Sequence, residues 1–370
     1  MEGSLFSRLA QRLKTLKGEV YPLHVGDTWM EPADGCRMQD LRVDQHPGMH
    51  RYASPHGLPL LLERVVERHQ ANTAADTATA NVLITAGATG ALGAAVGATI
   101  DPGDEVLLIA PYWPLFAGIV QSFSGHPVAV PFIGVADSPE TAVETLDAKR
   151  TERSVAIYLG TPNNPTGRVI PPAIVAAVVE WAQRYDLWIL ADEVYEDYVY
   201  RGEHCYARAL APERTYSVHS FSKAYGMAGN RCGYVVGPAD HMRELRKVSL
   251  HSFYSTPTAS QIAAAKVLDG RGDAWVASAK AMYQQLGDEM AGLLGVPPPE
   301  GSQFLWVDVA GRLDGRGLMG FLEDCLDNGV LVAPGPSFGP YPTHVRVCFT
   351  AAAPERTRRG MQLLAQHLGR

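Results

Sequence analysis

The sequence predicts an α/β protein: a large three-layer α/β/α domain on a mainly parallel sheet, followed by a smaller α+β domain. Three observations predict it. The chain has 370 residues, more than one ordinary core holds, so about two domains are expected. Between "NVLITAG" and "GYVVGP" seven short apolar runs alternate with helix-like stretches. Most are rich in Val, Ile and Leu without polar alternation, as strands covered on both faces are. After about Pro257 the texture changes to a long helical stretch with a few further strands.

The elements follow in order. Leu5, Leu9, Leu13 and Leu16, with Phe6, share one face at helical spacing. This basic segment lacks the apolar centre of a signal peptide, and docking on the body or on a partner suits it better than a transit peptide. With the loop after it, residues 1–45 are expected to pack with the small domain. Residues 46–256 form the large domain, with strands in "VLITA", "EVLLIA", "PVAVPF", "VAIYLG", "LWILAD", "TYSVHSF" and "YVVG". Residues 257–370 form the small one. There a single helical region runs from "ASQIAAAKVL" through "MAGLLG". The breaker "VPPPEG" and strands in "FLWVDV", "GVLVAPG" and "HVRVCFT" follow it.

Composition excludes several functions. A hydrophobic fraction of 46% and a charged fraction of 19% fit a globular protein. The net charge of −7, with no basic run, argues against a nucleic-acid partner. Five scattered cysteines without CxxC spacing suggest neither a disulfide framework nor a metal site. They read as free thiols in a reducing cytoplasm. No apolar run reaches the roughly 18 residues that span a bilayer, so no membrane association is expected.

Ligands of open parallel sheets bind beyond the carboxyl ends of the strands, so the residues after each strand are the candidates. "GATGALG", Gly87 to Gly93, opens a glycine-rich helix start whose free N–H groups favour an anion. Thr89 adds a hydroxyl. A dinucleotide would need an acid at the end of the next strand, whereas Asp104 and Glu105 precede it. Trp113 in "PYWPLF" can stack on a planar ring or fill the core. Asn164 in "TPNNPTG" can serve the turn or donate to a ligand oxygen. Asp192 in "ADEVYEDYVY" ends an apolar strand, and a buried carboxylate needs a partner. A cationic ring nitrogen or an internal salt bridge would supply one, and Tyr195 can reach the same ligand. In "SFSKAYGMAGNR", Ser220 to Arg231, the two serines and the arginine can hold a phosphate. Lys223, if desolvated, becomes a nucleophilic amine able to form Schiff bases. Stacker, acid, phenol, phosphate cradle and amine together describe a pyridoxal 5'-phosphate (PLP) site.

On these motifs, "NNPTG", "ADEVY" and "SFSKAYGMAGNRCG" above all, the chain resembles fold-type I PLP enzymes, specifically class I/II aminotransferases related to aspartate aminotransferase. The likeness extends from "YPLHVGD" to "HVRVCFT". It implies that Lys223 carries the cofactor and shuttles the proton, and that Asp192 pairs with the pyridine nitrogen. Tyr195 and Asn164 would bond the ring hydroxyl and Trp113 would stack on the ring. Ala88, Thr89, Ser220, Ser222 and Arg231 would hold the phosphate. Tyr52, in "RYASPHG", resembles the tyrosine that reaches a partner's phosphate across a homodimer. Gly26, in "HVGD", and Arg346, in "HVRVCFT", resemble the carboxylate-binding pair, with Asn164 beside them.

The resemblance implies an aminotransferase acting on an L-amino acid and a keto acid. A lyase, decarboxylase, cyclase or O2-dependent oxidase on the same fold is the alternative. No second arginine is evident for a dicarboxylate. Trp29 is expected to meet an apolar or aromatic side chain, and Asp27 or Glu31 a basic one. A neutral or aromatic donor is favoured, with a basic amino acid second.

Overall fold

The computed structural model describes residue 16 and residues 18–370. The expected N-terminal helix lies outside them except for Leu16, which packs against the small-domain core.

All seven expected large-domain strands form. They are β1 (Val82–Thr85), β2 (Glu105–Ala110), β3 (His126–Pro131), β4 (Ser154–Gly160), β5 (Trp188–Asp192), β6 (Thr215–Ser220) and β7 (Gly233–Val236). Their order across the sheet is β1-β7-β6-β5-β4-β2-β3. Five run parallel from β3 to β6, while β7 is antiparallel to both its neighbours. The missing polar alternation has a direct cause. Leu107, Ile109, Ile157, Leu159 and Ile189 face one layer of helices, with Pro172–Arg184 at its centre. Val106, Leu108, Ala156, Tyr158 and Leu190 face the other, which includes the helices Gly87–Thr99 and Pro114–Ser122. Both faces are apolar because both are covered.

The smaller sheet holds β8 (Phe304–Asp308), β9 (Ala333–Pro334) and β10 (His344–Cys348), antiparallel with β10 in the middle. "GVLVAPG" contributes only two residues to it. Val330 bridges Tyr21 instead, and Tyr21 and Leu23 join this domain's core. The single expected helical region is two helices, Thr258–Lys266 and Asp273–Leu294. They part at Gly270, whose φ of +95° is open to glycine at little cost.

Register sets the site. Gly160 pairs with Asp192, and Asp192 with Val218, so β4, β5 and β6 end at one level beside the start of the helix Gly87–Thr99.

Candidate active site

The strand ends enclose a cavity of about 240 Å³. Gly26, Ala88, Thr89, Trp113, Asn164 and Asp192 line it, joined by Tyr195, Ser220, Ser222, Lys223, Arg231 and Arg346. The structure thus gathers residues from both domains that lie up to 320 positions apart in sequence, Gly26 to Arg346.

Lys223 sits in the one-turn helix Phe221–Ala224 that follows β6, capped by Ser220, whose hydroxyl accepts from the Ser222 N–H at 3.1 Å. Its Nζ donates to the Gly26 carbonyl at 2.5 Å. Burial lowers its pKa, opposed chiefly by the nearby Asp27 carboxylate. Asp192 closes β5. Its Oδ2 accepts from the Tyr158 hydroxyl at 2.6 Å, and its Oδ1 is buried without a partner. Burial raises its pKa, and the Tyr158 bond opposes the rise. Tyr195, also buried, sets its ring edge-on to Phe304, and burial pushes its phenol upward.

At the sheet edge of the cavity the backbone is tightly nested. A Cβ on Gly87, at φ +71°, would lie 2.5 Å from Arg231 Nη2. A Cβ on Gly233 would lie 2.9 Å from the Ala88 nitrogen. Arg231 itself is left-handed, φ +49°, a conformation that costs a non-glycine residue about 1–2 kcal/mol. Strain of this kind concentrates at functional sites. At the other end, Arg346 donates to Asn164 Oδ1 at 2.9 Å and to the His24 carbonyl at 2.5 Å. Its guanidinium lies over Phe304 and Phe338, at 4.3 and 5.0 Å. Its Nε is buried without a partner, and burial lowers its pKa. No carboxylate among the described residues forms an ion pair with it.

Four expected residues, Asp27, Trp29, Glu31 and Tyr52, do not line the cavity. Tyr52 is 87% exposed and packs edge-on to Tyr254. Trp29 does not line this cavity. Its backbone N–H donates to the Thr350 carbonyl at 3.2 Å and Thr28 bonds the Tyr283 hydroxyl, and the indole packs onto Tyr283 beside the small-domain core. Sequence reasoning also passed over Tyr158. The available signal was a tyrosine inside a buried run, since a buried phenol seeks a hydrogen-bond partner.

Over residues 27–362 the chain matches the model of the aminotransferase class I and II family, and it belongs to that family. A probable aspartate/prephenate aminotransferase from Thermus aquaticus is 32% identical over 87% of this chain and 84% of its own length. An arginine–pyruvate transaminase from Pseudomonas aeruginosa is 31% identical with the same coverage. A solved aspartate aminotransferase variant from Thermus thermophilus superposes with a TM-score of 0.90 at 28% identity, covering 99% of this chain and 97% of its own.

Proposed function

We propose that the chain is a PLP-dependent aminotransferase that works as a cytoplasmic homodimer, with residues 46–256 as the cofactor domain. One observation carries the cofactor reading: a half-buried amine and a buried carboxylate oxygen that has no partner share a cavity with Arg231, whose guanidinium lies against Gly87. The residues fit the group. Asp192 Oδ1 suits the ring nitrogen, and a charge-assisted bond there is worth about 1.5–3 kcal/mol. Trp113 would cover the ring, and Tyr195 and Asn164 would serve its hydroxyl. The N–H groups at Ala88 and Thr89, the Ser220 and Ser222 hydroxyls and Arg231 suit the phosphate. Tyr52, exposed on this protomer, would serve the partner's phosphate. When bound, PLP supplies an electron sink for the charge left on the substrate carbon.

The chain does the rest. Arg346, Asn164 and the Gly26 loop hold the α-carboxylate, which fixes the direction of the Cα–H bond. Lys223 Nζ, neutral more readily because desolvation lowers its pKa, would take that proton and hold it at the amine for return. Asp192, backed by Tyr158, keeps a negative charge against the ring nitrogen.

The donor we favour has one carboxylate and a neutral or aromatic side chain, because Leu92, Pro162 and Val194 add apolar wall. Arginine, the donor named for the Pseudomonas relative, ranks second. A panel of single amino acids without keto acid tests both parts. Stoichiometric formation of pyridoxamine phosphate is expected. Repeated turnover with ammonia release or oxygen uptake would mean a lyase or oxidase. Aspartate or glutamate as the best donor by a wide margin would reject the donor class.

A further inference from the structure

Directly behind the cavity, alternate residues of the same strand ends form a second polar cluster. Asp192 and Tyr195 face the ligand space, while their neighbours Glu193 and Glu196 face away from it. Ser220 lines the cavity, while His219 points into the cluster. His219 is 2% exposed. Its Nδ1 lies 2.9 Å from Glu196 Oε1 and its Nε2 lies 2.8 Å from Ser217 Oγ. Ser217 in turn bonds Glu193 Oε2. Arg68, from the helix Pro59–Thr73, donates to Glu196 at 3.2 Å, to both oxygens of Asp197 and to the Tyr225 hydroxyl. The cluster therefore bridges the segment carrying Asp192 and Tyr195 to the segment carrying Ser220 and Lys223.

Donor and acceptor logic assigns the protons. An ionised carboxylate only accepts. Glu196 Oε1 already receives Arg68, so His219 Nδ1 must donate to it. Burial raises the Glu193 pKa to about 7, so at pH 8 Glu193 is ionised and accepts; Ser217 spends its one hydrogen on it, and the Ser217 oxygen can only accept from His219 Nε2. Both ring nitrogens then carry hydrogen. The surrounding charges agree. Glu193, Glu196 and Asp197 are three carboxylates against two guanidiniums, Arg68 and, beside Glu193, Arg208, so one negative charge is left for the imidazole to balance. The imidazole also stacks on Tyr234 with centroids 4.7 Å apart, a face that favours a cation. His69 sits edge-on at 6.1 Å, and burial lowers its pKa to about 3, so it is neutral and adds no competing charge. His204 lies near Glu193 and is neutral too, its pKa lowered to about 4 by burial.

We propose that His219 is a positioning residue for amino transfer: a buried imidazolium that locks the Asp192 and Lys223 strand ends together and stands as a positive charge behind the Asp192 carboxylate. The catalytic half of this rests on the aminotransferase reading. The protonation half does not. Consistent with it, the His219 charge acts to lower the pKa of Asp192 against the upward push of burial. Removing that charge would move protonation of Asp192 to higher pH. Activity needs the carboxylate, so the acid limb of the kcat profile would move upward.

The test has two arms. Nitrogen NMR of histidine-labelled, cofactor-free wild-type protein at about pH 8, well above the ordinary histidine pKa, should show one imidazolium. That signal should be absent in His219→Gln. A neutral ring at this position in the wild type overturns the proposal whatever the reaction proves to be. In the PLP-loaded enzyme, His219→Gln should lower kcat by about ten- to a hundredfold, the range seen when a group that orients another is removed. KM for the donor should change little, and the acid limb should shift upward. Wild-type kcat with an unmoved acid limb would also overturn it. Should His219→Gln fail to fold, the wild-type NMR arm decides alone.

Discussion

The two sides of the β5 and β6 ends are made from the same strands, yet they differ in how completely their polar atoms are satisfied. On the cavity side, Asp192 Oδ1 and Arg346 Nε are buried without partners. Behind them, Glu193, Glu196, His219 and Ser217 bond one another, and Arg68 closes the cluster with three oxygens and a phenol. A buried polar group without a partner costs about 1–3 kcal/mol. His69 Nε2, both His204 ring nitrogens and Arg208 Nε, at the margin of the frame, bear that cost too, so the difference lies in the central groups: those on the cavity side are open to a ligand, and those behind bond one another.

Substitutions on the two sides should therefore fail differently. The largest effect falls on the cavity side. Lys223→Ala should cut turnover by about 10⁴-fold, the upper range for a positioned acid–base group. PLP should still elute with the protein on gel filtration. Borohydride reduction of the wild type followed by peptide mapping should label Lys223, and a label on another lysine would break the assignment.

Next comes the frame. Arg68→Met leaves Asp197 buried without its cation and Glu196 with His219 alone, a loss that typically costs about 3–5 kcal/mol. Urea denaturation should report it as a lower midpoint. Asp192→Asn, by contrast, should leave stability unchanged or raise it while most of the rate is lost. Equal destabilisation by the two changes would erase the distinction drawn between the two sides.

Arg346→Ala should remove about 2–5 kcal/mol of carboxylate binding, a fall in kcat/KM of roughly thirty- to several-thousandfold. Steady-state kinetics on the best donor checks it, and near-normal kcat/KM would place the carboxylate elsewhere. The smallest effect belongs to Tyr52→Phe. Losing one hydrogen bond to a charged group, about 1.5–3 kcal/mol, should weaken PLP binding by roughly ten- to a hundredfold. Sedimentation should still show a dimer. A fully active monomer would refute a role for Tyr52 across the interface.

Much of this was legible without coordinates, for identifiable reasons. The strands inside the large sheet announce themselves because both faces of a covered sheet exclude polar side chains, whereas β3 at the edge has only Val130 fully buried. Asp192, Lys223 and Asn164 stand out because each lies at the end of such an inner strand or within four residues after it. Tyr158 was overlooked because an apolar run hides which of its members carries a hydroxyl toward a neighbour. The direction of the Trp29 indole was not legible because it depends on Thr28, Thr350 and Tyr283, the last of them 254 positions away.

What the sequence determined by itself was local. Hydrophobic runs of the right length define strands, glycines such as Gly87 and Gly270 permit backbone that other residues resist, and short motifs place reactive side chains at strand ends. What only the tertiary structure decided was non-local: the antiparallel insertion of β7, the inward turn of Arg346 over Phe304, and the meeting of Arg68 with Glu196 and His219. Those outcomes depend on hydrogen-bond geometry and charge at distances of a few ångströms between residues far apart in the chain. Periodicity and composition carry no information about such distances.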